Sequence, residues 1–438
     1  MDDDPTGSQT VHTTLLLTRW DTETLVEAFN DDSPLFFVLT NTRGMNPTKA
    51  AEVTREVCKN LKEALSILKA GNKDINPVLV SRSDSTLRGH YPVETNVIAE
   101  EVGPFDAHFL VPAFFEGGRI TRNSTHYLAV EDKLIPCHET EFAKDSVFGY
   151  STAYLPDYVE EKTSKAIKSS EVQQFTLEEV QGDSEKRLVS LSHNACCVVN
   201  CEKQSDLDNF CSQLKTVAER DGRRFLFRSG ASLLTALAQL PPQPIPAEEM
   251  DRYVPHHSPG AIIIGSHVKK STEQLDELLK ISNVVGIEVD VQKIRDGEEQ
   301  AVIDDVNARA AKAHAQHNHI AVFTSRNELA FPTQEARLEF GEKVSSILME
   351  IVQNLPTSVG FLISKGGITT NDVLSTGLSL RSSRVLGQIL PGCSVVRCPS
   401  THRFADMPVV IFPGNVGDKM GMVTVLERLS TRSNKGNI

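Results

Sequence analysis

The chain has 438 residues, of which 39% are hydrophobic and 24% charged, a composition that excludes disordered and fibrous classes; since single cores stop growing at about 250 to 300 residues, two domains are expected. The formal net charge is −13, with no long Lys/Arg cluster to attract a phosphate backbone or an anionic membrane surface, so nucleic acid and membranes are excluded as partners. A small anionic ligand is not excluded, because a few converging basic side chains and backbone N–H groups suffice to hold one.

Met1 is followed at once by Asp2, Asp3 and Asp4, nothing resembles a signal peptide, and no apolar run reaches the roughly 18 residues of a membrane span. A cytoplasmic location is expected. The eight cysteines form no CxxC pair and read as reduced structural thiols.

The first cluster with chemistry is Asp2-Asp3-Asp4-Pro5-Thr6-Gly7-Ser8. Its carboxylates and hydroxyls suit sugar hydroxyls, a Mg²⁺ ion or a transferred proton, although a solvated acidic terminus is the competing reading. In a parallel sheet a turn of this kind is fed by a strand, and here only Met1 precedes it. Short apolar runs then recur at Leu35–Leu39, Pro77–Val80, His108–Val111, Cys196–Val199 and Phe225–Phe227, an alternation that predicts βα units around a largely parallel sheet. Directly after the second run comes Ser81–His90, containing Ser83, Asp84 and Arg88. Ligands of open α/β sheets bind at the carboxyl ends of strands; there an Arg fork matches a carboxylate and Asp84 accepts from a hydroxyl, against the plainer reading of a local Asp84–Arg88 ion pair. Val111–Phe114 leads similarly to Arg119 and His126, placed to close over a substrate. Segment 160–190 is charged and reads as surface helices.

Prolines crowd Leu240–Pro246, Pro255 and Pro259, which marks a linker. A second series follows: Ala261–Gly265, a helix over Thr272–Lys280, Val284–Val289, Ile320–Thr324, a long helix over Gln334–Asn354, and Gly360–Ile363. Three Gly-bearing loops end strands here, at Gly265-Ser266, at Gly366-Gly367-Ile368-Thr369 and at Gly414-Asn415-Val416-Gly417, and together they suit phosphate held on backbone N–H groups. His314, His317 and His319 form a string with metal-like spacing but no fourth ligand nearby. The P-loop, the dinucleotide fingerprint, HExxH and GxSxG are all absent.

These motifs resemble the four-carbon acid sugar kinase family, whose DDxTG turn, SDSTLRG loop, GG-containing nucleotide loop and late Gly-Asn loop stand here at Asp3–Gly7, Ser83–Gly89, Gly366–Thr369 and Gly414–Gly417. Further similar segments are Thr40–Arg43, Arg228–Ser232 and Gly387–Gly392. The resemblance implies an α/β fold of two domains, each with a largely parallel sheet flanked by helices and the active site in the interdomain cleft. The expected limits are a sugar-acid-binding domain over 1–240, a Pro-rich linker over 241–259 and a nucleotide-binding domain over 260–430. It implies ATP-dependent phosphorylation of the terminal hydroxyl of a threonate, erythronate or oxo-tetronate, with ATP and Mg²⁺ as cofactors. The alternative is a non-catalytic sensor of sugar acid and nucleotide. The expected catalytic residues are Asp84 and Asp4. Asp3, Thr6, Arg43, Ser83, Arg88 and Arg119 are expected to bind the acid; Ser266, Gly366, Gly367, Ile368, Thr369, Gly414, Asn415 and Gly417 are expected to bind ATP. No metal ligand is assigned, and a homo-oligomer is left open.

Overall fold

Alternating apolar runs and amphipathic stretches build two α/β units in the computed structural model, which describes residues 1–131, 133–326 and 329–430. One unit comprises Met1–Val11 and Trp20–Pro241, the other His12–Arg19 and the chain from Pro242 on. Each contains parallel strands flanked by helices.

In the first unit the parallel strands run in the order Leu79–Arg82, Phe225–Ser229, Ala107–Val111, Ala195–Val199 and Gln173–Phe175. Burial on both faces explains the near-continuous apolar sequences of the inner strands Ala107–Val111 and Ala195–Val199. Phe109 is fully buried and lies 5.4 to 5.8 Å from the rings of Phe175, Phe210, Phe225 and Phe227, the centre of one core. Helix Pro47–Ala70 starts where Asn46 accepts from Lys49 N, with Pro47 opening its first turn, and it buries Val53, Val57, Leu61 and Leu68 at helical spacing. Segment 160–190 differs from the sequence expectation, since Gln173–Phe175 is an edge strand and Phe175, Val180 and Leu188 are fully buried. Three strands at Arg119–Arg122, Thr125–Val130 and Lys133–Pro136 form a small antiparallel sheet.

Met1 and Asp2 extend the parallel ladder by two residues. Asp2 N donates to Val38 O at 2.8 Å and Thr40 N to Asp2 O at 2.9 Å; on the other side Arg82 N donates to Met1 O at 2.8 Å. The acidic turn is thus anchored from both neighbours. The Met1 ammonium is buried and donates to Val80 O at 2.8 Å, and desolvation lowers its pKa. Beside it lies a cavity of about 870 Å³ whose walls include Phe36, Val57, Leu61, Leu79, Ile98 and Leu214.

In the second unit the parallel strands are ordered Val284–Val289, His319–Thr324, Ala261–Ile264, Leu362–Lys365 and Pro408–Phe412. The sheet continues antiparallel through Cys393–Arg397, Ser382–Leu390 and Leu15–Leu17. That last pairing, Leu15 to Leu17 against Arg384 to Ser382, is why His12–Arg19 groups with this unit rather than with its sequence neighbours. The proline-rich stretch is packed as well: Met250, in the short helix Ala247–Tyr253, is fully buried in the second core, and the Gln243 carboxamide bonds Ile245 O and Gln388 N. All eight cysteines are buried and free.

Candidate functional site

In the first unit, parallel strands deliver Asp3, the Thr42–Gly44 turn and the Ser83–Gly89 loop to their carboxyl ends. Asp3 is nearly enclosed, and its Oδ1 lies 2.5 Å from Arg43 Nη2. Its Oδ2 accepts from Ser83 Oγ at 2.5 Å and sits 4.0 Å from Arg228 Nη2. The buried Arg228 also donates to Ser81 Oγ and Ser83 Oγ at 2.7 Å, and it pairs with Glu94. Glu94 accepts in turn from Thr42 Oγ1 at 2.5 Å. Convergence this tight requires a residue without a side chain at Gly89, where φ is +108° and a Cβ would stand 2.4 Å from Ser83 Oγ and 2.6 Å from Arg228 Nη2.

Asp4 caps the Pro5–Ser8 turn: its Oδ1 accepts from Thr6 N at 2.9 Å and Thr6 Oγ1 at 2.5 Å, while Oδ2 lies 3.5 Å from Arg43 Nη1. Asp84 accepts from Arg88 Nε at 2.7 Å and from Thr86 Oγ1. Burial works to raise both carboxyls, but Arg43 and the local hydrogen bonds outweigh it for Asp4, and Arg43, Arg88 and Thr86 outweigh it for Asp84, so both stay ionised below the usual carboxylate range. Arg88 is a quarter exposed, stacks 5.0 Å over Phe142 and lies 3.6 Å from Asp145. Arg119 donates to Gly117 O at 2.6 Å and keeps a buried Nε without a partner.

The loop is held from behind by its own carbonyls. Tyr150 OH donates to Thr86 O at 2.7 Å, Tyr158 OH to Leu87 O at 2.8 Å, and His126 Nε2 lies 2.8 Å from Ser85 O. His126 therefore does not close over a substrate: it is fully buried, its Nδ1 lies 3.0 Å from Thr121 Oγ1, and burial pushes its pKa down to about 4. Asp3, Asp4, Thr6, Arg43 and Ser83 form one connected network, and Asp84 with Arg88 adjoins it. Arg228 and Glu94 belong to the same network although sequence reasoning gave neither a role. An arginine within an otherwise apolar strand was the available signal for Arg228.

In the second unit the three glycine loops meet around Ser266. Gly366 has φ +118°, and a Cβ there would lie 3.1 Å from Ser266 Cβ and 3.2 Å from Thr369 Oγ1; a Cβ on Gly414 would lie 3.0 Å from Ser266 Oγ. Ser271 Oγ ties the loops, lying 3.0 Å from Ser266 Oγ and donating to Gly414 O at 3.1 Å. Gln274 Nε2 holds Val416 O and Asp418 O on either side of Gly417, and Lys270 Nζ donates to Asn415 O at 3.1 Å. Gly367 and Ile368 open helix Gly367–Asp372, with the Ile368 side chain 73% exposed. His319, from the histidine string, is committed to structure, since its Nδ1 accepts from Gly260 N at 2.9 Å.

Lys365 immediately precedes this cradle and is fully buried. Its Nζ donates to Pro413 O at 2.7 Å and stands 3.9 Å from the Phe412 ring centre. Burial pushes its pKa down to about 7, with Lys270 adding to the shift and Cys393 opposing it. Between pH 7 and the ordinary lysine value near 10.5, the unfolded chain keeps a proton that the folded chain has lost. Stability from this group is expected to rise with pH across that window, by up to about 1.4 kcal/mol per unit. Denaturant melts at pH 7, 8 and 9 should show a shallower rise in Lys365→Met than in the parent; parallel slopes would refute the assignment.

The sequence matches the model of a sugar-binding N-terminal domain over residues 1–237 and that of a nucleotide-binding C-terminal domain over 261–422. No curated protein matches it. Among solved structures it is similar to Haemophilus influenzae protein HI1011, at 14% identity over 98% of this chain and 99% of that one, with a TM-score of 0.64. It is also similar to a Salmonella typhimurium LT2 protein provisionally named a tRNA synthase, at 15% identity over 98% and 97%, with a TM-score of 0.68. At such identities the likeness concerns the fold alone. Fold and matched domains together define a sugar- and nucleotide-binding α/β protein. The chain belongs to the four-carbon acid sugar kinase family.

Proposed function

We propose that this protein is an ATP-dependent kinase that phosphorylates the terminal hydroxyl of a four-carbon sugar acid of the threonate, erythronate or oxo-tetronate type. The observation that supports this most is the Asp3–Arg43–Ser83–Arg228 network at the strand ends of the domain matched as sugar-binding. Alternating carboxylates, hydroxyls and arginines suit a ligand that carries both hydroxyls and a carboxylate. In this reading Arg88 and Arg119 take the acid's carboxylate, while Arg43, Asp3, Ser83 and Thr6 order its hydroxyls.

ATP fits the Ser266 cradle, where glycines at 366 and 414 leave room that any Cβ would fill, and exposed Ile368 offers an apolar surface to the base. Mg²⁺ would be carried largely on the phosphate oxygens and water, as is usual for this ion; bound there it neutralises the transferring phosphates. Coupled assay of ADP release with Mg-ATP and a panel of tetronates tests the reading. Tetronate binding without ADP release from any of them would replace it with the sensor.

Asp84 and Asp4 divide the remaining work. Asp84 is bonded to Arg88, so Asp84→Asn is expected to loosen that arginine and chiefly raise the KM for the acid. Asp4 has one oxygen engaged by Thr6 and the other 3.5 Å from Arg43, which leaves it better able to accept the hydroxyl proton. Asp4→Asn is expected to lower kcat about 100-fold or more with little change in KM, within the range for general bases. The reverse pattern in steady-state kinetics would return the role of base to Asp84.

A further inference from the structure

The Ser266 cradle has a cation beside it that no sequence motif marks. Arg326 lies just past the end of strand His319–Thr324, next to strand Ala261–Ile264, and its guanidinium is docked on the cradle. Nη2 donates to Ser266 O at 2.7 Å and to Thr272 Oγ1 at 2.9 Å, and Nε donates to Thr272 Oγ1 at 3.2 Å. The third nitrogen, Nη1, is buried and has no hydrogen-bond partner. Among the described residues no carboxylate stands within ion-pair distance of it. Burial lowers its pKa and the charge of Asp276 opposes the shift, yet an arginine remains charged. A half-buried cation with an unused donor is costly unless an anion arrives to take it. Lys365, on the other side of Ser266 along the sheet, is also buried, and among the described residues no carboxylate stands within ion-pair distance of it.

We infer that Arg326 is a phosphate-binding residue of the nucleotide site, donating from Nη1 to the polyphosphate chain of ATP while Nη2 holds the Ser266 turn in place. The inference rests on the nucleotide reading of this unit and adds to it a specific counter-charge. The plainer role, a brace for the Ser266 carbonyl, accounts for Nη2 and Nε but leaves Nη1 unexplained.

The test is calorimetric titration of the full chain with ATP, ADP, AMP and inorganic tripolyphosphate, using the parent, Arg326→Gln, Arg326→Lys and Thr272→Val. Loss of one charge-assisted hydrogen bond to phosphate is expected to weaken ATP and tripolyphosphate about 10- to 100-fold in Arg326→Gln. AMP should change less than about threefold. Lysine should restore part of the loss, and Thr272→Val, which removes a brace contact but no charge, should leave the ATP-to-AMP ratio near that of the parent. Equal losses for ATP and AMP, or none, would overturn the inference and leave only the brace. If the glutamine variant does not fold, the lysine variant decides, because shifting the charge must still change ATP relative to AMP. A parent that binds tripolyphosphate but no nucleotide would refute the kinase reading while the phosphate site stood; a parent that binds neither would refute both.

Discussion

Gly414→Val is expected to lower ATP affinity by about 100-fold or more while the protein stays folded. The would-be Cβ stands 3.0 Å from Ser266 Oγ and 3.7 Å from Val268 Cγ2, so the two methyl groups of valine enter the space between the three loops, where a phosphate would meet backbone N–H groups. Excluding phosphate from two such donors costs about 1.5 to 3 kcal/mol each, which multiplies to that factor. Gly414 does not have a positive φ, so valine there obstructs the loop without backbone strain. Gly366 differs in this respect: at φ +118° a valine is strained as well as obstructive, and Gly366→Val should lose melting temperature in addition to affinity. Titration of ATP alongside thermal melts separates the two. Unchanged affinity in a folded Gly414→Val would exclude this loop from the cradle.

The parts of the site legible in the sequence share one property: their polar residues are adjacent in the chain and follow an apolar run. Ser83, Asp84 and Arg88 form such a block, as do Asp3, Asp4 and Thr6, and both stand where strands end. The pairing of Arg228 with Glu94 was not legible because the two lie 134 positions apart, although Arg228 stands out in an otherwise apolar strand. Glu94 in particular looks like a solvent-facing residue of helix Val93–Val102, yet it is buried. Tyr150 and Tyr158 position the loop through hydroxyls that donate to its carbonyls, a relation that spacing does not encode. His126 misled because a histidine after a strand looks chemical, whereas its two nitrogens are spent on Ser85 and Thr121. The alternation of strands predicted the parallel sheets, but Leu15–Leu17 was missed because three residues give too short a pattern. Gln173–Phe175 was hidden by the charged residues around it.

A short apolar segment fused ahead of Met1 is expected to raise the melting temperature by about 5 to 10 °C. Met1 and Asp2 already lie in parallel register between Leu39 and Arg82, and a segment continuing their line would run along Leu79 and Phe36 into the 870 Å³ cavity. Four or five residues buried there gain about 1.5 to 3 kcal/mol per apolar side chain and about 1 kcal/mol per ladder hydrogen bond. Ordering them costs about 1 to 2 kcal/mol of backbone entropy each, plus up to about 1 kcal/mol for each aliphatic side chain. A few kcal/mol remain, and a domain of this size gains about 2 to 4 °C for each. The fusion also turns the buried Met1 ammonium into a neutral amide. Because burial lowers the pKa of that ammonium below its ordinary 8.0, the unfolded chain binds the extra proton just below pH 8, and parent stability should rise with pH there. The fused protein should lose this slope. A Gly/Ser segment of equal length serves as the control, since it lacks the side chains to fill the cavity. If apolar and Gly/Ser fusions both melt with the parent, the cavity does not accept a strand.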